Sequence, residues 1–360
     1  MQKEKVVILS PVQLTDWDSF VQDHPYGWLG HLSSWQLVLA STIRLSAGYF
    51  LAIMDETSGK IVGGMPVYQT RSLTLHKKLI SAPLTTIFDP LVSSREQLVA
   101  LLSTALSWLR ATGSSELIVK TLHTARLWGE MGAIKDNSFR YHYLDLGRDL
   151  DTIWKKAHRS CVRQQVNKAV QKGVEVRQAE DKKDLSVFYR LYSATRKRHG
   201  LPSIPFAYFE AIWNIYRPQN CVYFLLASYN RSAICSLMAL KFKEKFSAEA
   251  LGWDDEFRWL TPSAITFWEA IKLAKELGCQ QFDFGRTALA NESLIRFKRH
   301  WGTEEMEMPQ FSFSAGKKLA IRTDRSSSAL KYRSLTTFLR DCPDVIYELL
   351  SQFYYKNFSN

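Results

Sequence analysis

Apolar residues in the first half of the chain follow two periods, one typical of strands and one typical of helices. Residues 48–55 and 60–70 are apolar runs on either side of a polar Glu-Thr-Ser-Gly turn, which predicts a β-hairpin. Residues 94–113 place apolar positions three and four apart and stop at a glycine, which predicts an amphipathic helix. A buried strand is predicted directly after it, at residues 115–122.

The second half of the chain repeats this order of elements. A basic helix ending at Gly173 precedes two further helices, and residues 221–254 predict three consecutive strands. Residues 261–278 predict a helix, with Thr261 at the N-cap, a proline at the first position and a glycine beyond the end. Ala264, Phe267, Ile271 and Ala274 are spaced three and four apart, so they lie on one stripe of this helix. The strand Gln-Gln-Phe-Asp-Phe-Gly follows at once, at residues 280–285.

The repeated order of elements predicts an α/β (α+β) protein of two tandem domains, each a mixed, mostly antiparallel sheet flanked by helices. Residues 1–150 are expected to form the first domain and residues 151–315 the second. Residues 316–360 are expected to form a helical C-terminal tail. The duplication is inferred from the order of elements, because no exact sequence repeat accompanies it.

The composition fits this interpretation and bears on the compartment and the partners of the protein. The 360 residues are 46% hydrophobic and 23% charged, which is typical of a globular chain with a substantial core. No apolar run approaches the ~20 residues that span a bilayer, and five scattered cysteines without a CxxC pair favour a reduced, cytoplasmic protein. The net charge of +12 favours an anionic partner. No cluster of His, Cys and carboxylates has ligand spacing, so no metal site is expected.

The Asp-Phe-Gly of residues 283–285 is the first stretch with candidate chemistry. A protein kinase also needs a Gly-rich loop, a strand lysine and a His-Arg-Asp loop upstream, and the chain has none of them. We expect Asp283 at the C-terminal edge of its strand, where open sheets bind ligands, with Gly285 turning the backbone. A second interpretation, in which Asp283 only caps the following turn, stays open.

The helix predicted after this strand carries a lysine between aromatic residues. Leu294, Phe297 and Trp301 lie three and four positions apart, which predicts one face anchored on the sheet. Lys298 then points about 100° away from that face, where its ammonium suits a phosphate or the oxyanion formed in acyl transfer. The alternative is a solvated lysine on a basic face with the neighbouring arginines.

A third stretch, residues 154–173, concentrates positive charge. Lys155, Arg159 and Arg163 lie four positions apart, which predicts a basic stripe on one helix that suits a phosphate backbone. The alternative is a linker helix whose basic face only keeps the protein soluble.

Four segments together resemble the FemABX-like proteins, also described as tandem acetyltransferase-fold (GNAT-like) proteins. They are "GKIVGGMPVYQTRS", "FYRLYSATRKRHGLPSIPFAYFEAIW", "ALGWDDEFRWLTPSAITFWEAIKLAKELGCQQFDFGRT" and "NESLIRFKRHWGTE". The resemblance spans roughly residues 10–315, and its most specific part is the order Asp-Phe-Gly, Asn, Leu, Phe-Lys, Trp-Gly. It implies two GNAT-like domains and an acyltransferase of the peptidoglycan-bridge or exopolysaccharide-associated type.

The resemblance implies transfer of an aminoacyl or acyl group to an amine of a cell-wall or exopolysaccharide precursor. The donor would be aminoacyl-tRNA or acyl-CoA, and no cofactor would be bound permanently. The lysine of the family's Phe-Lys motif is placed near the reacting ester, and by motif it is Lys298, with Phe297 beside it. The resemblance also implies that the basic residues 154–173 bind phosphates of the tRNA. Peripheral contact with an anionic membrane surface is a further expectation.

Two departures from the family's pattern concern the donor and the acceptor. The acyl-CoA loop of this fold normally offers glycine amides to pyrophosphate, whereas residues 258–263 read Arg-Trp-Leu-Thr-Pro-Ser, and Pro262 has no N–H. CoA is therefore expected to bind poorly, although Thr261 and the helix dipole suit a smaller anion. In the first half "SAPLTTIFDP" stands where the family often has a glycine pair, which leaves the acceptor open.

Lys298 is expected to stabilise the tetrahedral oxyanion, and Asp283 to be the base or the acceptor that orients the amine. Further substrate contacts are expected from Phe297, Arg286, Arg258 and Thr261 and, in the first domain, from Trp35, Tyr68 and Arg71. Two alternatives keep the fold: an acyl-CoA-dependent N-acetyltransferase acting on an amino sugar, and a non-catalytic scaffold in an envelope-polysaccharide complex.

Overall fold

The computed structural model describes six stretches of the chain: residues 4–43, 45–71, 77–81, 83–129, 132–314 and 335–357. The chain divides into two compact units. Unit 1 comprises the described parts of Met1–Phe139, Glu307–Asp324 and Phe353–Asn360, and unit 2 those of Arg140–Met306 and Arg325–Gln352. Each unit is built on a seven-stranded sheet. The prediction of two mixed sheets flanked by helices is therefore confirmed.

Unit 1 contains seven strands and three α-helices among its described residues. The strands are β1 (Glu4–Ile8), β2 (Leu45–Asp55), β3 (Ile61–Arg71), β4 (Lys77–Ile80), β5 (Glu116–Lys120), β6 (Ile134–Asp136) and β14 (Gln310–Ser314), in the sheet order β1-β2-β3-β4-β5-β14-β6. The helices are α1 (Leu14–Asp23), α2 (Trp35–Ala40) and α3 (Arg95–Ala111). The predicted hairpin is the antiparallel pair β2–β3, and the predicted amphipathic helix is α3.

Unit 2 contains the other seven strands and most of the remaining helices. The strands are β7 (Phe139–Asp145), β8 (Glu175–Gln178), β9 (Val222–Tyr229), β10 (Ser232–Phe242), β11 (Lys245–Trp253), β12 (Gln281–Ala288) and β13 (Glu304–Glu307), in the order β13-β7-β12-β11-β10-β9-β8. The helices are α4 (Leu150–Lys156), α5 (Gln164–Gln171), α6 (Lys182–Arg198), α7 (Phe206–Tyr216), α8 (Pro262–Glu276) and α9 (Glu292–His300). The three consecutive antiparallel strands that the sequence predicts are β9, β10 and β11.

The units do not end at the expected boundaries, residues 150 and 315, because strand pairing places two segments differently. Strand β7 precedes residue 150 but pairs in the sheet of unit 2, and β14 precedes residue 315 but pairs in the sheet of unit 1. Of the expected tail, residues 316–334 lie outside the described residues. Residues 335–341 are helical, and α10 follows at Asp344–Asn357. No helix in the described ranges is both long and apolar enough to cross a membrane.

The hydrophobic core of unit 2 forms where α8 packs on the sheet. The predicted stripe of α8 is confirmed, because Phe267, Ile271 and the alanines at 264 and 274 are all buried. They pack in one cluster with Phe282 and Phe284 of β12 and with Trp301, just after α9. The ring of Phe267 lies 5.8 Å from that of Trp301, centroid to centroid. This core therefore fixes both β12 and the end of α9.

The basic helix predicted for residues 154–173 is broken in the structure. Helix α4 ends at Lys156, and Ala157 and His158 have extended backbone angles before a short π-helical turn at Arg159–Arg163 and then α5. The break occurs because the His158 N–H donates to the carbonyl of His300, at 2.7 Å, outside the helix. Lys155 is therefore not on the helix that carries Arg163, and the prediction of one continuous basic stripe is wrong.

Gly252 in β11 provides a test of how closely α6 packs on this sheet. A Cβ atom at this position would lie 2.3 Å from the backbone nitrogen of Tyr192 in α6, and backbone cannot move aside as a side-chain end can. We expect Gly252→Ala to lower the unfolding free energy by about 3 kcal/mol. The control is Gly278→Ala, where the added Cβ meets nothing within 4 Å and the left-handed backbone costs about 1 kcal/mol. Equal losses in urea unfolding would contradict the close packing.

Candidate functional site

Lys298 lies in α9 and is buried, with 5% of its surface exposed. The helix begins at the cap Asn291, whose side chain accepts the N–H of Leu294. Ile295, Lys298 and the following Trp301 form its buried face, whereas Leu294 is 37% exposed. The predicted anchor at Leu294 is therefore wrong, and Ile295 takes that place. The Lys298 Nζ donates to the carbonyl oxygen of Gly285 at 2.8 Å. The alternative of a solvated lysine is contradicted.

Asp283 lies inside β12 and is 1% exposed. The prediction that it sits at the strand end is wrong, because β12 continues to Ala288. The strand bends at Gly285, which has a φ of +74° that a glycine adopts without a steric penalty. The N–H of Gly285 donates to Oδ1 of Asp283, and its carbonyl accepts from Lys298. Gly285 therefore connects the acid and the lysine through its two backbone groups.

Strand β11 adds three polar side chains beside Asp283. The Nζ of Lys245 lies 3.0 Å from Oδ2 of Asp283. The hydroxyl of Ser247 lies 3.1 Å from the same oxygen and 2.7 Å from Oε1 of Glu249. Because a serine hydroxyl has a single proton to donate, it serves only one of the two carboxylates at a time. The two acids are therefore linked through one shared hydrogen-bonding group.

A β-bulge determines the position of Glu249. In the pairing of β11 with β10, Ala248 lies opposite Ala239 and Ala250 lies opposite Met238, so Glu249 is the extra residue. Bulges of this kind redirect a side chain and are frequent beside functional sites. We did not predict Lys245, Ser247 or Glu249 from the sequence. Polar residues at alternate positions of an apolar strand are the signal that points to them.

Burial shifts the pKa values of the lysine and of this second acid toward each other. Burial lowers the pKa of Lys298 to about 8, although Asp283 and Glu249 oppose the shift. Burial and the neighbouring Asp283 raise the pKa of Glu249 to about 7. At neutral pH Lys298 is therefore mainly an ammonium, and Glu249 is close to half ionised. Paired groups with shifted pKa values are typical of catalytic sites.

Strand β7 completes the cluster with two buried side chains. Tyr141 lies with its ring 5.3 Å from the Lys245 Nζ, and burial together with Asp283 raises the pKa of its hydroxyl well above the usual value. Burial and the nearby Lys298 lower the pKa of His142 to about 4, so this imidazole is neutral. Neither of its ring nitrogens has a hydrogen-bond partner among the described residues, and Nε2 lies 3.6 Å from the carboxylate of Glu305.

The other residues of unit 2 that were predicted for the site differ in how exposed their side chains are. Phe297 is partly buried and packs against Phe267, with ring centroids 5.7 Å apart. Arg286 follows Gly285 in β12 and is partly exposed, whereas Arg258 is exposed. Thr261 occupies the N-cap of α8 with a φ of +50°, but its side chain does not cap the helix. Its hydroxyl instead donates to the carbonyl oxygen of Gln165 at 2.9 Å.

Three residues of unit 1 were predicted to contact substrate. Trp35 and Tyr68 are 1% and 0% exposed, so both belong to the core of unit 1, and their contact with substrate stays a prediction. Their apolar surface explains the burial, since aromatic rings dominate protein cores. Arg71 ends β3, and its side chain lies outside the described residues.

The predicted phosphate-binding residues stand on either side of the break after α4. Lys155 is exposed and pairs with Asp151 one turn earlier in α4, which partly neutralises it. Arg159 is exposed and Arg163 is partly exposed, both in the short π-helical turn. The structure thus keeps a compact basic turn at Arg159–Arg163 in place of a long stripe.

The comparisons with known proteins agree with this architecture. Residues 156–299 match the family model described as an acetyltransferase (GNAT) domain. No curated protein matches the chain. Among solved structures, a crystal structure of FemX has a TM-score of 0.69 at 16% sequence identity, over 86% of this chain and 97% of that chain.

Two further solved structures share the fold over most of their length. A tandem GNAT protein from the clavulanic acid biosynthesis pathway has a TM-score of 0.55 at 13% identity, over 88% of this chain and 100% of that chain. The structure of L-PGS from Bacillus licheniformis has a TM-score of 0.57 at 12% identity, over 92% of this chain and 98% of that chain. At these identities the likeness shows the fold alone.

Residues 156–299 are therefore similar to the acetyltransferase (GNAT) domain family. The fold of the chain is that of the FemABX-like tandem GNAT proteins, as its motifs predicted.

The raised pKa of Glu249 has a consequence for stability. This carboxyl ionises near its usual pKa of 4.5 in the unfolded chain and near 7 in the folded protein, so ionisation favours unfolding as the pH rises through that interval. We expect Glu249→Gln to gain thermal stability relative to the wild type at pH 8 compared with pH 5. Thermal unfolding of both proteins at the two pH values measures this. Glu276→Gln on the exposed surface of α8 is the control, and an equal gain there would contradict the prediction.

Proposed function

We propose that the protein transfers an acyl or aminoacyl group to an amine of a cell-wall or exopolysaccharide precursor. The observation that carries the proposal is the buried ammonium of Lys298 beside the linked acids Asp283 and Glu249. Burial disfavours the charged form of a lysine, and nearby anionic groups offset that cost. The GNAT domain family of residues 156–299 supports the reaction class.

The first step of the proposed reaction is attack of a neutral amine on the carbonyl carbon of the donor. A carbon–nitrogen bond forms, and the carbonyl oxygen becomes an oxyanion. The Lys298 ammonium has three N–H donors, of which one is used by Gly285. A remaining N–H is available to stabilise the oxyanion, and it is held by packing, so it needs no reorganisation during the reaction.

Glu249 is the better candidate for the base, and Asp283 for a positioning group. The carboxylate of Asp283 already accepts from the Gly285 N–H and from Ser247 and pairs with Lys245. Glu249 is partly exposed, and its pKa of about 7 suits proton transfer at neutral pH. It takes the proton that the amine loses and returns one to the leaving oxygen or sulfur as the intermediate collapses. Atoms and charge then balance without any cofactor.

Aminoacyl-tRNA is the donor that the basic surface favours. Arg159 and Arg163 in the π-helical turn present cationic groups suited to phosphates, and Arg286 and Phe297 adjoin the lysine from β12 and α9. The acceptor would be an amine-bearing envelope precursor. One structural neighbour is described as a putative lysylphosphatidylglycerol synthetase, at 9% identity and a TM-score of 0.55, and FemX is another. The first of these names describes synthesis of a phosphatidylglycerol that carries a lysyl group.

An acyl-CoA donor is the second candidate, because the matching domain family is named for acetyl transfer. The start of α8, where this fold would hold pyrophosphate, argues for weak CoA binding. Pro262 has no N–H, and the amide of Ala264 already donates to the carbonyl of Thr261 at 3.0 Å. The N-terminus of α8 therefore offers fewer amides than a glycine loop does.

Replacing the lysine tests the reaction class. We expect Lys298→Met to lower kcat by about 10²–10³-fold, the loss typical of one oxyanion donor, with little change in the thermal midpoint. The assay follows labelled acyl transfer from acetyl-CoA, longer acyl-CoAs and aminoacyl-tRNAs to amino sugars and to cell-wall precursors with a free amine. The control is Lys272→Met, on the partly exposed side of α8. Transfer by the Lys298 variant within a few-fold of the wild type would contradict the role.

Direct binding separates the two donors. We expect no saturable micromolar binding of acetyl-CoA or longer acyl-CoAs in calorimetry, because α8 offers few free amides. Aminoacyl-tRNA should bind, and its affinity should fall as salt rises, because the contact is with phosphates. The double change Arg159→Ala with Arg163→Ala should weaken tRNA binding and flatten its salt dependence. Tight acyl-CoA binding would instead favour the second candidate.

A further inference from the structure

A cluster of three metal-ligating side chains lies on unit 2 outside the site described above. His158, Cys161 and His300 each offer one ligand atom, and these atoms lie within 4.8 Å of one another. His158 and Cys161 are exposed and His300 is partly exposed. Within the described ranges, no other group of His, Cys or acidic residues meets the same criterion.

Two separate features of the fold bring the three residues together. The backbone N–H of His158 donates to the carbonyl of His300 at 2.7 Å, which joins the end of α4 to the last turn of α9. Cys161 lies one turn after His158 in the π-helical segment, and its backbone N–H donates to Nδ1 of that imidazole at 3.2 Å. The two imidazole rings lie 4.8 Å apart, centroid to centroid. The approach of His158 to His300 is therefore fixed by a backbone hydrogen bond.

We propose that His158, Cys161 and His300 bind a divalent metal ion of the zinc class, with the fourth position open to solvent. Two imidazoles and one thiolate are ligands that zinc prefers, and three protein ligands with one open position is the usual coordination of an accessible zinc site. Oxygen-preferring ions such as Mg²⁺ and Ca²⁺ would not choose this donor set. Sequence spacing did not indicate the site, because His300 lies far along the chain from the other two.

Metal binding requires two local changes, both of which exposed side chains permit. Coordination through Nδ1 of His158 replaces the hydrogen bond from the Cys161 N–H, which is a long one. The Cys161 thiol loses its proton, so the bound ion keeps a net charge of one. The nearby cations Arg159 and Arg296 are exposed and repel the ion through solvent, which screens the repulsion. These cations limit the affinity, so binding in the micromolar range is expected.

The metal would connect the π-helical turn to the C-terminal end of α9, the helix that also carries Lys298. Lys298 lies two residues before His300 in that helix. A ligand that binds the folded protein and not the unfolded chain raises the thermal midpoint. The proposal makes no use of acyl transfer, and its test is independent of the outcome of that function.

The test uses the full-length protein, without a polyhistidine tag, in metal-free buffer. Zinc binding is measured by calorimetry, and cobalt(II) serves as the spectroscopic probe because a thiolate ligand gives an intense near-ultraviolet charge-transfer band. We expect one equivalent of zinc to bind, a higher thermal midpoint with zinc, and the cobalt–thiolate band in the wild type. Cys161→Ser should abolish the band, and His300→Ala should weaken zinc binding at least tenfold.

Cys221→Ser, a thiol elsewhere in unit 2, is the matched control and should behave as the wild type. His158→Ala removes the cap of the π-helical turn as well as a ligand, so circular dichroism of that variant must accompany its titration. Cys161→Ser leaves the backbone N–H and the cap in place, and it carries the decisive comparison. Zinc affinity that is unchanged in both Cys161→Ser and His300→Ala, or a wild type without the cobalt–thiolate band, would overturn the proposal.

Discussion

The cost of burying a positive charge is the constraint on which the second half of this protein depends. An ammonium at the position of Lys298 loses most of its hydration, and its lowered pKa of about 8 measures part of that cost. It stays charged at neutral pH because Asp283 and Glu249 lie near and because the ammonium donates a hydrogen bond to the Gly285 carbonyl. The bend at Gly285 and the bulge at Glu249 bring the carbonyl and the second carboxylate to the lysine. Trp301 packs in the same core as α8 and so anchors the end of α9, the helix that carries Lys298.

The two acids respond differently to the same surroundings, and the difference assigns them different roles. Asp283 is enclosed, its Oδ1 accepts the N–H of Gly285, and its Oδ2 pairs with Lys245. Glu249 accepts a hydrogen bond from Ser247, and burial beside a second carboxylate raises its pKa to about 7. In the proposed reaction Asp283 is therefore the positioning group, and Glu249 is the group that exchanges a proton.

The sequence predicted the elements well where a single segment carries the signal. The hairpin β2–β3, helix α3 and the stripe of α8 follow from local periodicity, and their burial follows with it. Features that depend on distant contacts were missed. The break at His158 arises from the carbonyl of His300, and the length of β12 past Gly285 arises from the sheet around it. Lys298 was found through its motif, whereas Glu249 depends on a bulge that only the pairing of β10 with β11 reveals.

The start of α8 connects the fold to the choice of donor. Thr261 adopts a left-handed backbone, which is costly for a β-branched residue, and its hydroxyl lies within hydrogen-bond distance of the carbonyls of Leu260 and of Gln165 in α5. Strain of this kind persists only where surrounding contacts enforce it. Here the contact with Gln165 joins the start of α8 to α5. In a CoA-binding member of this fold, the start of this helix would bind pyrophosphate. For the proposed transfer, the cationic groups suited to a phosphate backbone lie in the basic turn before α5, and the ammonium suited to a carbonyl under attack is that of Lys298.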